Sequence, residues 1–469
     1  MTGDHPLRSG MIQEVEDGVF SQKFTHLATV RLAQAQSPAG SATEMQCPIG
    51  FRMVEHVQNY DVLEKCTKDI LSIIKPTEDD RNKRLHAIQE IVNSIYLVGG
   101  LGDAAVKPFG SFLSELYAKS GDLDVSVELP NVSGFSTSKE KKQNLLRKLM
   151  KALQISGVAR DVNFIPTARV PVLQYVSNHF GISCDISINN YPGRIKSKVL
   201  YWINTLDSRF GDTVLLVKEW AKAQNINDPK NGTLNSYLLC LLVLFHFQTC
   251  KPAILPPMKE FFDFNILGEI GPYNEKIVDE ICATNIAKFR RRNIGQRNQS
   301  SLSHLLATFF EKYCLQFGRI VVHSSEVVST YTGRLLRKQG GLYWMTKSYC
   351  LFVEDPFQRP DNAARTVDVP ELQHIVRAFE HAKSTISSSR PAGRNELLSL
   401  LCTPEVGSKL GARGTANRYA NPAMTSDRQA NVHDVTAMFD GLWRGRLHNG
   451  SASSSRSQAS SSRTAGQYR

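Results

Sequence analysis

Residues Leu123-Asp124-Val125-Ser126-Val127-Glu128-Leu129 alternate apolar and polar side chains without a break, the period of two expected of a half-buried strand. With Asp122 just ahead, the alternation puts Asp122 and Asp124 on one face while Leu123, Val125 and Val127 point into the core. Side chains two apart on a strand stand about 7 Å apart at Cα, so two such carboxylates can share a pair of divalent ions about 4 Å from each other. A second segment of the same period, Cys184-Asp185-Ile186-Ser187-Ile188-Asn189, keeps Cys184, Ile186 and Ile188 on the core side and Asp185, Ser187 and Asn189 on the other. Pairing of the two strands is expected to bring three acids together.

Taken alone, a D-x-D string is ordinarily an exposed turn pair. Gly110-Ser111, eleven residues upstream, sets this one apart. Gly110 permits close backbone approach to a phosphate, and the Ser111 hydroxyl with neighbouring amides can cradle it before the strand supplies metal ligands. Oxygen ligands of this kind suit Mg²⁺ or Mn²⁺ and disfavour zinc.

The rest of the chain frames this segment. Apolar residues at helical spacing run from Val62 to Ile74 and end at Pro76, and a second helix carries Leu85, Ile88, Ile91, Val92 and Ile95 on one face. An amphipathic helix around Leu145 to Leu153 separates the strands. After Lys196 the period is helical to about residue 385, through Leu215–Ala223, Leu234–Phe247 and Leu302–Tyr313. The expected organisation is α+β: an extension lacking periodicity at 1–57, a catalytic domain at 58–195, a mainly helical domain at 196–385, and a Ser- and Arg-rich tail at 386–469, both ends without a packed core.

Lys and Arg exceed Asp and Glu, 56 against 44, a surplus that favours a polyanionic partner. Nine cysteines are scattered with no C-x-x-C pair or zinc spacing, as expected of reduced thiols. The longest apolar run, Tyr237 to Phe247, is too short to span a bilayer, and the N-terminus has no basic-then-apolar leader. No membrane partner is expected, and the protein is expected in the cytoplasm and nucleus.

Gly-Ser, D-x-D and a later lone strand Asp resemble the nucleotidyltransferase domain of the terminal uridylyltransferase and cytoplasmic poly(A) polymerase family, within the DNA polymerase beta-like superfamily. The likeness continues through Val217-Lys218-Glu219-Trp220-Ala221-Lys222, Gly232-Thr233-Leu234-Asn235-Ser236-Tyr237 and Val353-Glu354-Asp355-Pro356-Phe357. It covers about residues 60 to 380. Lys218 to Ala223 and Phe245 to Pro257 are worded most like the plant branch that tails small RNAs.

The resemblance implies a polymerase beta-like catalytic domain beside a helical, PAP-associated domain. It implies transfer of a nucleotide to an RNA 3′ end, with Asp122, Asp124 and Asp185 holding Mg²⁺ (or Mn²⁺) and Asp185 acting as general base. Lys218 and Lys222, at i and i+4 on one helix face, are then the clamp on the β- and γ-phosphates. Ser236 touches the phosphates and Tyr237 stacks on the base, with Gly110, Ser111, Asp355 and Asp361 completing the nucleotide site. Trp220 is expected in the core. Arg290-Arg291-Arg292, with Lys288 and Arg297, can track RNA or simply form a solvated face.

Three positions depart from the family pattern. Asp361 stands where relatives usually place a histidine, and Lys196 where many place an asparagine; Gln358 is at a position often acidic. Uracil offers an N–H donor between two carbonyls, so the Asp361 carboxylate can accept N3–H while Lys196 or an amide donates to a carbonyl. UTP is the expected substrate, with some use of ATP because a short carboxylate excludes adenine less firmly than a histidine would; the resemblance implies an Argonaute as delivering partner. The rivals are a poly(A) polymerase using ATP and a catalytically silent RNA-binding scaffold.

Overall fold

The computed structural model describes residues 60–130, 137–262, 272–292, 297–322, 326–337, 349–388 and 392–412. The expected N-terminal extension and the end of the tail lie outside them.

Helix α1 (Tyr60–Ile74) ends before Pro76, and α2 (Glu78–Ile95) begins at Thr77 with a reciprocal capping box to Asp80, which satisfies two otherwise orphaned amides. Strand β1 (Ala105–Phe109), the short helix α3 (Gly110–Leu113) and β2 (Leu123–Glu128) follow. Helix α4 (Lys139–Ile155), capped by Ser138, then leads into β3 (Ala159–Ile165), β4 (Val172–Ser177) and β5 (Ser183–Ile188). The sheet order is β1-β2-β5-β4-β3, with β2 and β5 parallel and every other neighbour antiparallel. Helices α2 and α4 cover the apolar face: Ala87, Ile88, Ile91, Leu146 and Leu149 share one core with Leu123, Val125, Val127, Cys184, Ile186 and Ile188.

Both central strands matched the expected boundaries to within a residue, but their polar face is not open along its whole length. Ser126 and Ser187 are buried, and the Ser126 hydroxyl accepts the amide of Asn190. On this face Asp124 and Asp185 remain partly exposed.

A second, larger core gathers the helices that follow: α5 (Tyr191–Asn204), α6 (Ser208–Ala223), α7 (Ser236–Thr249), α8 (Pro272–Arg291), α9 (Leu302–Val322) and α10 (Val369–Ile386). Trp220 lies fully buried in it, edge-on to Phe310 and Phe379. Two features differ from the sequence reading. The helical stretch is interrupted by a hairpin of β6 (Glu326–Ser329) and β7 (Arg334–Arg337). Beyond residue 386, α11 (Arg394–Leu401) and α12 (Pro404–Lys409) are ordered, because Leu397, Leu398, Leu400, Leu401 and Val406 complete the apolar surface. Helix α1 belongs to this second core as well, through Leu63, Cys66, Ile70, Leu71 and Ile74, so chain order and core membership do not coincide. Among the described residues no helix is long and apolar enough to cross a membrane.

Candidate active site

The parallel register of β2 on β5 sets Asp124 opposite Asp185. That pairing carries out what the two alternating segments predict, and Asp122 lies two residues before Asp124 at the mouth of the same edge. On the far side of β5, antiparallel β4 sets Gln174 opposite Asp185. The Gln174 amide donates to both carboxylate oxygens, at 3.1 and 3.0 Å.

Gly110 follows β1 and has φ +66°. A Cβ at this position would meet Asp124 Oδ2 at 1.9 Å, so the glycine is required both by its left-handed backbone and by the carboxylate pressed against it. Its amide donates to Ser197 Oγ at 2.7 Å, and the next amide, that of Ser111, hydrogen-bonds the Asp124 carboxylate. Arg84, buried on α2, donates to the carbonyls of Lys119 and Gly121 and so holds the loop that delivers Asp122.

Charge repulsion dominates this end of the cleft. Burial, followed by the neighbouring Asp185 and Asp122 charges, pushes Asp124 up to about 7, with Lys218 opposing. Burial raises Asp185 too, against the Gln174 hydrogen bonds, and Asp122 adds to the rise while Lys230 lowers it. Asp122 is raised by burial of its carboxyl and held back by Lys222 and Arg84. Like charges packed this way call for a cation, and three oxygen donors suit a hard divalent ion. Among the described residues no three such side chains stand close enough to grip one ion as they are; the pairing of Asp124 with Asp185 and the charge deficit are what fit the trio to one.

The two lysines of α6 divide their work. Lys218 is half-buried, donates to the Leu116 carbonyl at 2.9 Å and acts on Asp124. Lys222 is exposed and lines a cleft of about 440 Å³ with Asn225, Asn227, Asp228, Asn231, Thr233, Glu371 and His374. Ser236, the first residue of α7, is exposed, and its hydroxyl pairs with Asn227.

Next to Ser236, Tyr237 joins Asp355, Gln358 and Lys196 in one cluster. Asp355 is 2% exposed. It takes Lys196 Nζ at 2.5 Å, the Tyr237 hydroxyl at 3.1 Å and the Phe357 amide at 3.0 Å. Fully engaged in this way, Asp355 holds Tyr237 and Lys196 in place. Lys196 Nζ lies 4.9 Å from the centre of the Tyr237 ring and also donates to Gln358 Oε1 at 3.0 Å. Asp361 closes the turn after Gln358 and pairs with Arg169 of the β3–β4 loop at 2.5 Å. Of the basic cluster, Arg290 donates to the Thr205 carbonyl and Arg292 lies 3.7 Å from Glu260, apart from this cleft.

Gln174, Ser197, Arg84 and Arg169 were not singled out in the sequence. None belongs to a local motif: each reaches the site from a separate element, and only strand register or a loop crossing reveals it.

Residues 63–205 match the family described as the central palm domain of mitochondrial-like poly(A) RNA polymerase. The chain is 42% identical over 379 residues to the protein HESO1 of Arabidopsis thaliana, covering 80% of this chain and 71% of that one. It is 31% identical over 307 residues to the terminal uridylyltransferase cid1 of Schizosaccharomyces pombe, covering 61% and 70%. Among solved structures, Cid1 in complex with its short product ApU superposes with a TM-score of 0.57 at 26% identity, over 72% of this chain and 98% of that one. A mitochondrial poly(A) polymerase in complex with UTP gives 0.59 at 18% identity over 86% and 85%, a likeness of fold. With carboxylates, Gly-Ser turn and lysines assembled on one edge of this sheet, the chain belongs to the terminal uridylyltransferase and cytoplasmic poly(A) polymerase family of polymerase beta-like RNA nucleotidyltransferases.

Proposed function

We propose that this enzyme is a template-independent RNA 3′-terminal uridylyltransferase that adds UMP from UTP to the 3′-hydroxyl of RNA. The observation that carries the chemistry is the β2–β5 register, which sets Asp124 beside Asp185. The preference for uridine is supported by the side chains at the other end of the cleft, where Gln358 and Asp361 stand on one turn, and by similarity to a terminal uridylyltransferase.

Asp185 takes the proton from the RNA 3′-hydroxyl as that oxygen attacks the α-phosphate, and pyrophosphate leaves. Its burial and its place under the Gln174 amide suit it to this: the first raises its proton affinity and the second fixes its direction. Lys218 and Lys222 supply positive charge along the triphosphate, one beside Asp124 and the other at the open cleft. Tyr237, anchored through its hydroxyl, offers a ring to the base. Asp122, Asp124 and Asp185 are the residues to hold Mg²⁺ or Mn²⁺; when bound, such ions lower the pKa of the attacking hydroxyl and neutralise charge on the leaving group. Mg²⁺ is the favoured ion, in keeping with the MgGTP-bound form of Cid1.

Small RNAs are the substrates that the plant-like wording of Lys218–Ala223 and Phe245–Pro257 favours, delivered by an Argonaute in the cytoplasm and nucleus. The test supplies each nucleotide in turn to the purified protein with a short 3′-hydroxyl RNA, with and without Mg²⁺. Uridine tails that need the metal are expected, and an adenosine tail overturns the nucleotide assignment. Immunoprecipitation of the tagged protein from cells, with Argonaute and small-RNA readouts, tests the partner.

A further inference from the structure

We propose that Arg169 is a specificity-positioning residue: from the far side of the cleft it holds Asp361 as a hydrogen-bond acceptor beside the amide donor of Gln358, and this donor–acceptor pair matches the edge of uracil. The inference rests on the uridylyltransferase reading and names residues that set its selectivity.

Gln358 and Asp361 issue from one closed turn. The Gln358 amide donates to the Asp355 carbonyl at 3.3 Å, the Asp361 amide to the Gln358 carbonyl at 2.6 Å, and the Asp355 amide to the Asp361 carbonyl at 2.9 Å. Lys196 donates to Gln358 Oε1. A lysine ammonium has no acceptor, so the amide oxygen must face it and the two Nε2 hydrogens face elsewhere. Asp355 is not a reader of the base, because Lys196, Tyr237 and the Phe357 amide occupy its two oxygens.

On Asp361, Arg169 Nη1 takes Oδ2 at 2.5 Å, which leaves Oδ1 as the acceptor. Arg169 comes from the catalytic sheet's β3–β4 loop, itself tied to α4 by Lys139 on the Thr167 carbonyl and Gln143 on the Pro166 carbonyl. The pair is 57% and 37% exposed, so its contribution to folding is small. Its consequence is orientation.

Uracil presents a carbonyl acceptor next to an N–H donor, which fits an amide N–H next to a carboxylate oxygen. Cytosine and adenine present the reverse order, an amino donor next to a ring-nitrogen acceptor, and meet donor with donor and acceptor with acceptor. A carboxylate released from Arg169 can turn and accept an amino group, so the distinction weakens.

The test compares kcat/KM for UTP, CTP and ATP in wild type, Arg169→Ala, Arg169→Lys and Gln358→Glu on one RNA. Arg169→Ala is expected to lower the UTP:CTP and UTP:ATP ratios about tenfold, with thermal unfolding unchanged and kcat at saturating UTP within about twofold. Arg169→Lys restores most of the ratio, since the contact is a single one that an ammonium can make. Gln358→Glu, which replaces the donor with an acceptor, lowers the UTP:CTP ratio further. Unchanged ratios in Arg169→Ala, or an equal loss with every nucleotide as expected of an RNA or phosphate contact, overturn the role of Arg169. A wild type that prefers ATP sinks the underlying uridylyltransferase reading, and is read before any variant.

Discussion

At one end of the cleft, Asp124 and Asp185 stand on adjacent strands, and their spacing follows from main-chain hydrogen bonds. At the other end, Lys196, Asp355, Gln358, Asp361 and Arg169 meet through side-chain contacts that link the sheet body to the helical body. Bond-making chemistry needs reacting atoms held to a fraction of an ångström, and a sheet provides that. Base choice, as proposed, needs a pattern of donors and acceptors that can change without disturbing the catalyst, and side chains from two loops and the α5 helix provide that. Substitutions at the first end should therefore stop the reaction, whereas those at the second should redirect it.

The sharpest way to break this comparison is Asp124→Ala or Asp185→Ala. Each is expected to lower tailing about a thousandfold or more, with an unchanged circular dichroism spectrum; a wild-type rate in either ends the assignment of the carboxylates. Gly110→Ala comes next. Its Cβ collides with Asp124 and its φ is left-handed, so a loss of about a hundredfold in kcat and about 1–3 kcal/mol in stability is expected, read from single-turnover kinetics and urea melts. If Gly110→Ala instead raised KM alone, the turn would serve binding and not geometry.

Gln174→Leu removes the amide that aligns Asp185 and should lower kcat about tenfold with little change in KM for UTP. A selective KM effect would move Gln174 to the other end of the comparison. The smallest effect is in stability. The folded-state pKa of Asp124 is raised from 3.8 to about 7, so the metal-free fold binds a proton that the unfolded chain has lost. The stability from that proton is complete below 3.8 and disappears as pH rises through about 7. If the ionised trio holds Mg²⁺ as proposed, the rise in melting temperature that the ion causes should be larger near pH 8 than near pH 5.5, by about a few degrees. An equal rise at both values would place the ion elsewhere.

Much of the sheet end was legible because its signal is local: a period of two shows which residues of β2 and β5 share a face, and the acids lie on the face left by the aliphatic residues. Gln174 was not, because its place opposite Asp185 depends on a β4 register that no residue of β4 announces. The amphipathic period of α1 showed that it packs but not against which body, since Leu63 and Ile70 would fit either core. Leu397 to Leu401 was passed over because its short apolar run stands next to a polar tail. At the other end of the cleft, Asp361 and Lys196 were visible as departures from the family pattern, but the Arg169 contact spans 192 positions of sequence and arises only when the β3–β4 loop folds against the turn at 355–361.

One stretch of chain joins the two ends. Strand β5 delivers Asp185, and after the Asn190 cap α5 presents Lys196 to Asp355 and Ser197 to the Gly110 amide. A slide of the helix along its axis would displace Asp185, the glycine turn and Lys196 together. A change of base contact at position 196, at 358–361 or at 169 is therefore compatible with the reaction as a replacement of side chains, and not as a shift of the helix that carries Lys196 and Ser197.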